Sequence, residues 1–193
     1  SSALNHFTSL LALELSLTPS YKMLSASIHH NYNASLDKVL YDKGVETVYH
    51  AHATEELQAS PVLARVRGTT FLLNPDLHHE VFGPFSLIVV CDNKKQLIEV
   101  WQTLKGQLTT TIMGSNQDLD EHKDLINIAR NIAGRIVFNG IPTGVEVSNA
   151  TVHGGQYPAT TDSRFTSVGM DAIKRWVRPI CWQDCPEQLL PLE

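Results

Sequence analysis

A chain of 193 residues, 42% hydrophobic and 18% charged, is long enough for one well-packed domain and too apolar for a disordered segment. The net charge of -5, with no stripe of Lys and Arg, argues against a nucleic-acid surface. The densest basic stretch, Lys174, Arg175 and Arg178, reads as a solvated helix face. No apolar run reaches the roughly 18 residues of a membrane span and no signal peptide is visible, so a cytoplasmic protein without a membrane role is expected. Cys91, Cys181 and Cys185 make no disulfide framework, which suits a reducing compartment, and the sequons at Asn33 and Asn149 then read as chance matches. The chain opens Ser1-Ser2-Ala3 without a Met, which fits either processing or the cut end of something longer.

Leu4, Phe7, Leu11 and Leu15 recur at helical spacing, and Pro19 stops that helix near Thr18. A second helix is expected over Ser20 to His30. Gly44 introduces an alternating strand, Val45 to Ala51, and further strands are expected at Val62 to Val66 and Thr69 to Leu73, with Gly68 turning between them. Phe85 to Cys91 is a continuous apolar run, as in a strand covered on both faces, and Cys91 at its end reads as an inert buried thiol. Leu97, Ile98, Trp101 and Leu104 form one helical face ended by Gly106; Thr109 to Met113 is a strand. Leu125, Ile128, Ala129 and Ile132 form another helix stopped by Gly134, and Arg135 to Asn139 is strand again. This alternation predicts an α/β fold with a mostly parallel sheet and flanking helices. Residues 140–169 are glycine-rich and lack helical period, and a long ordered loop of this kind is usually functional. A short helix at Met170 to Val177 and an extended tail from Pro179 complete the chain.

Ligands of open α/β sheets bind beyond the carboxyl ends of the strands. Two segments are candidates. The first is His79-Glu80-Val81-Phe82-Gly83-Pro84, a carboxylate and an aromatic two apart at a Gly-Pro break before the buried strand. The second is the loop running from Asn139-Gly140-Ile141-Pro142-Thr143-Gly144-Val145-Glu146-Val147 to Thr151-Val152-His153-Gly154-Gly155-Gln156-Tyr157-Pro158. The paired glycines permit a close backbone approach and leave His153 projecting as a proton carrier. Taken singly, Glu80 is a solvated turn carboxylate, His153 a hydrogen-bonded structural histidine, and Gly154-Gly155 a turn. There is no Gly-rich phosphate cradle and no Gly-x-Ser-x-Gly. His50 and His52 share a strand face, and His29-His30 and His78-His79 are adjacent pairs. A zinc ligand set is nevertheless lacking, so no metal is expected.

Together these segments resemble the aldehyde dehydrogenase superfamily. The corner is similar to its Glu-Glu-(Ile/Val)-Phe-Gly-Pro motif, with His79 in place of the first Glu. The stretches Gly134 to Val145, Val152 to Ala159, Thr166 to Gly169 and Arg178-Pro179 look like the branch containing α-ketoglutaric semialdehyde dehydrogenases and the NADP-dependent bacterial fatty aldehyde dehydrogenase. There His153-Gly154-Gly155 stands where most members have Phe-Gly-Gly. The resemblance implies that Glu80 binds the nicotinamide ribose and Phe82 contacts the nicotinamide side. It also implies that His153 lies beside the catalytic thiol, as a proton carrier or as polar pocket wall. Pro142, Thr143 and Arg164 are the further residues assigned to the substrate pocket, Arg164 meeting a substrate carboxylate unless it is simply a surface arginine.

The family needs a cysteine nucleophile upstream of this corner, within Gly-Gln-x-Cys, and no Cys precedes Cys91 here. The resemblance therefore implies the C-terminal part of an NAD(P)-dependent enzyme that oxidises a small-molecule aldehyde through a thiohemiacetal, hydride transfer and thioester hydrolysis. Residues 1–178 would be catalytic domain and 179–193 an extended arm through which copies assemble into a homo-oligomer. Alone the chain is expected to be inactive. The alternative is a non-catalytic remnant serving as a binding or assembly module. Which aldehyde, and whether NAD or NADP, is not written in this stretch.

Overall fold

The structure is a computed structural model that describes residues 2–53, 55–144 and 148–191. Positions 145–147, part of the second candidate segment, lie outside the described residues, as does Ser1. Two compact units divide the chain, Ser1–Thr103 and Leu104–Glu193.

The first unit opens with helix α1 (Ser2–Ser16). Its packed side is Leu4, Thr8, Leu11 and Leu15, directed to strand β2 (Val45–His50), while Phe7 is left outside. Thr8 escapes a burial penalty by donating its hydroxyl to the Leu4 carbonyl at 2.8 Å. The helix expected over Ser20 to His30 is displaced. Tyr21–Lys22 forms the short strand β1, and α2 (Ala26–Leu40) starts only at the N-cap Ser25, whose side chain accepts from the Ile28 N–H. Its buried residues Tyr32, Leu36 and Val39 follow i, i+4, i+7 and carry it well past His30.

β1 pairs antiparallel with β3 (Gln58–Ala59). The main sheet is β2, then β4 (Val62–Arg67), then β5 (Phe85–Val90). β4 runs antiparallel to β2 and parallel to β5, so this sheet is mixed, not mostly parallel as expected. Central β4 supplies the unit's core: Leu63 and Ala64 are fully buried, with Val62 and Val66 close behind. Thr69 to Leu73, expected as strand, is instead helix α3 (Gly68–Leu73). Burial of Phe71, together with the packing of α3 on α4 (Lys94–Thr103), outweighs the β preference of its two threonines.

In the second unit β6 (Gln107–Ile112) and β7 (Ala133–Phe138) pair in parallel, joined through α5 (Asn116–Glu121) and α6 (Lys123–Ile132). α6 buries Leu125, Ala129 and Ile132 at i, i+4, i+7 and packs on β7. Among the described residues β5 and β6 belong to separate hydrogen-bonded sheets, whereas the sequence pattern suggested one. Just past β7, Asn139 takes a left-handed conformation (φ 49°). Its N–H donates to Ile112, and its side-chain amide both accepts from the Gly114 N–H and donates to the Gly114 carbonyl, each at 2.9 Å.

After β7 the described residues hold only short 3-10 turns, at Met170–Arg175, inside the stretch expected as a short helix, and at Glu187–Leu189. The tail from Pro179 carries no strand among the described residues, and Ile180, Trp182, Leu189 and Leu190 are exposed. No helix among the described residues is long and apolar enough to cross a membrane.

Candidate functional site

The corner between His79 and Pro84 is built as an alternation. Glu80 is exposed, Val81 buried and Phe82 exposed, so the carboxylate and the phenyl ring project outward around an inward valine. Both ends are anchored. On the near side, His78 donates from Nε2 to the Phe71 carbonyl at 2.7 Å, and its ring lies 4.3 Å from that of Phe71. On the far side, the Phe85 N–H donates to the Gly83 carbonyl at 2.7 Å and the Val62 N–H to the Pro84 carbonyl at 2.9 Å, so the chain joins the sheet at once. Gly83 is required because a Cβ there would overlap the ring of Tyr32. Glu80 and Phe82 line one groove with Val39, Leu77 and Leu87, and Glu80 also borders a larger cavity of about 770 Å³ edged by Lys38, Asp42 and Asp76.

The histidine loop belongs to the second unit. Every backbone hydrogen-bonding group of His153 is used: its N–H donates to the Thr166 hydroxyl at 2.9 Å, and its carbonyl accepts from both the N–H and the hydroxyl of Ser167. The loop is therefore tied down at His153. By contrast, the imidazole Nδ1 is buried and has no hydrogen-bond partner. Gly154 and Gly155 allow a close approach to this unit's own strands. A Cβ on Gly134 would overlap the Gly154 carbonyl, and one on Gly155 (φ +155°) would overlap the carbonyl of Gln107. The loop thus lies across the amino ends of β6 and β7.

Pro142 and Thr143 follow the carboxyl end of β7 and are exposed. Arg135 holds this loop, donating from Nη1 to the Gly144 carbonyl at 2.6 Å and from Nη2 to that of Pro142 at 3.2 Å. Arg164 is already engaged. It makes an ion pair of 2.6 Å with Asp162 and stacks its guanidinium 5.5 Å from the Phe165 ring centre. Arg164 holds the Asp162 carboxyl down at about 2, first through the guanidinium's hydrogen bonds, then through that of its backbone N–H, with its charge contributing less.

None of the three cysteines stands in either segment. Cys91 is half-buried, and burial, then the Asp92 carboxylate, pushes its thiol up, away from the thiolate a nucleophile needs. Among the described residues no group of three or more His, Cys, Asp or Glu is placed to hold a metal ion.

No protein-family model matches the chain. Relatives do. The α-ketoglutaric semialdehyde dehydrogenase of Acinetobacter baylyi is 44% identical over 171 residues, 88% of this chain and 32% of that protein. The α-ketoglutaric semialdehyde dehydrogenase 2 of Azospirillum brasilense is 40% identical over 189 residues, 97% of this chain and 36% of that protein. The chain belongs to the aldehyde dehydrogenase superfamily. It spans about a third of the length of these curated relatives. Solved aldehyde dehydrogenases share the fold. The salicylaldehyde dehydrogenase of Pseudomonas putida G7 superposes with a TM-score of 0.63 at 16% identity, covering 95% of this chain and 39% of that one. For the succinic semialdehyde dehydrogenase of Streptococcus pyogenes the values are 0.61 and 20%, over 81% and 36%.

Within this aldehyde dehydrogenase chain, Glu80 and Phe82 are brought together in one unit, and Pro142, Thr143, His153 and Arg164 fall in the other. Three residues that shape these segments are not evident from sequence: Tyr32, His78 and Arg135. Only Arg135 leaves a local signal, a cation inside an otherwise apolar strand. Tyr32 and His78 act through tertiary contacts that no spacing rule reports.

Proposed function

We propose that this chain is the C-terminal part of an NAD(P)-dependent semialdehyde dehydrogenase and supplies one wall of its active site. The observation that carries this reading is the corner itself: an acceptor carboxylate, Glu80, and an uncovered phenyl face, Phe82, held rigid from both ends. A ribose needs hydroxyl acceptors and a nicotinamide needs a flat apolar neighbour, and the two side chains fit those needs. When bound, NAD(P) supplies the hydride acceptor. Glu80 orients it through the ribose and Phe82 limits its tilt. The relatives' names support a semialdehyde as substrate.

His153 belongs beside the nucleophile, and its imidazole is the group assigned there to exchange a proton or hold a polar substrate atom. Pro142 and Thr143 line the pocket mouth. Arg164 meets a substrate carboxylate by exchanging its bond with Asp162. The cysteine nucleophile comes from outside this stretch, so the chain alone is inactive. The exposed Trp176, Ile180 and Trp182 of the last segment form the contact between copies.

The test is Glu80→Gln in the intact dehydrogenase. It removes the charged acceptor and keeps the shape, and should slow hydride transfer or weaken coenzyme binding roughly tenfold or more. Stopped-flow NAD(P)H formation and coenzyme titration report the two effects separately. Finding both at wild-type values would refute the role assigned to Glu80.

A further inference from the structure

We infer that Tyr32 is a positioning residue of the coenzyme corner, its buried ring fixing how far Gly83 stands from the core and hence where Phe82 and Glu80 point. This rests on the reading of the corner given above and adds a residue to it. Tyr32 lies on α2, far from the corner in sequence, and is 3% exposed. Its ring edge fills the space a side chain on residue 83 would need. The ring is held by burial, on the packed face of α2 with Leu36 and Val39. Its hydroxyl donates, at 3.5 Å, to the carbonyl of Ser60, whose own hydroxyl shares a 2.6 Å hydrogen bond with Ser20. The phenol is desolvated enough to be pushed up to about 12.

Immediately beyond the ring the backbone is committed, because the Gly83 and Pro84 carbonyls are taken by Phe85 and Val62. Movement of Gly83 toward a vacated ring position therefore cannot be absorbed downstream. It is passed back to Phe82 and Glu80, whose side chains are largely exposed and resist it least. His78, stacked on Phe71, fixes the other end and concentrates the displacement between residues 79 and 83.

The experiment uses the intact dehydrogenase with Tyr32→Leu, Tyr32→Phe and Gly83→Ala, measuring steady-state KM for coenzyme and aldehyde separately. Tyr32→Leu removes the ring edge, and Gly83→Ala pushes against it. Both should raise the coenzyme KM roughly tenfold and leave the aldehyde KM within about twofold. Tyr32→Phe keeps the ring and should restore the coenzyme KM to near the wild-type value. A purely structural role would lower the amount of active enzyme and leave both KM values alone, which would overturn the inference. Should Tyr32→Leu fail to fold, Gly83→Ala decides the matter by the same comparison. A wild-type protein without NAD(P)-dependent turnover would refute the underlying function as well. Normal wild-type turnover with unchanged coenzyme KM in the variants would refute the positioning role alone.

Discussion

Arg135 Nη1 donates to the Gly144 carbonyl at 2.6 Å, so a side chain on β7 clasps the loop that β7 itself leads into. A second bond, to Pro142, makes the clasp two-pronged. Hydrogen bonds from a charged donor are stronger than neutral ones, and this pair replaces the regular structure the loop lacks.

Arg135→Met keeps most of the apolar stem and deletes the clasp. Stability should fall by about 1–3 kcal/mol, the usual cost of losing hydrogen bonds to a charged group. The more specific consequence is local: amide exchange should accelerate in the segment after β7 and stay unchanged in β4 and β5. Uniform acceleration across both units would show that the arginine supports the fold in general, not this loop.

The glycines of the histidine loop give a second expectation. Gly155 combines φ +155° with a neighbouring Gln107 carbonyl, so Gly155→Ala should destabilise by roughly 2–4 kcal/mol from strain and overlap together. At Gly144 an added methyl group would meet nothing within 4 Å and the φ is not left-handed, so Gly144→Ala should stay within about 0.5 kcal/mol. Urea denaturation of both variants checks the contrast; equal effects would remove the steric explanation of the glycine pair.

Alkaline stability should report Tyr32. Its phenol is raised from 10.0 to about 12 by burial, so the folded chain holds that proton more tightly than the unfolded chain does. The associated stability is intact below pH 10 and drains away as pH rises from 10 toward 12. Tyr32→Phe removes the ionisation and should flatten that decline in thermal melts across the same window. An identical decline in the variant would place the alkaline sensitivity elsewhere.

What could be read from the sequence was what the local pattern determines. Phe85–Val90 was legible because five of its six residues are apolar, although it is an edge strand with an exposed Ser86 and is not covered on both faces as expected. α6 was legible because its buried residues keep a strict helical period. The two threonines before Phe71 misled, since a short segment's preference yields to packing against α4. β1 spans two residues, too few to carry a pattern, and so α2 was placed early. α5 went unread although its cap was visible: Ser115 and Asp118 form a reciprocal capping box. The Glu80–Phe82 corner was legible as a local motif. Its supports were not, because Tyr32 and Phe71 reach it only through the folded chain.

Asn139 carries the pairing of the second unit further than its strands do. Its side-chain amide engages both the N–H and the C=O of Gly114, mimicking the pair of bonds a neighbouring strand residue would make. In effect β6 and β7 are stitched one rung past the point where their backbones part. Whatever displaces the chain after one strand must drag the chain after the other with it. The Pro142–Gly144 clasp and the turn into α5 therefore leave the sheet from one shared point of attachment.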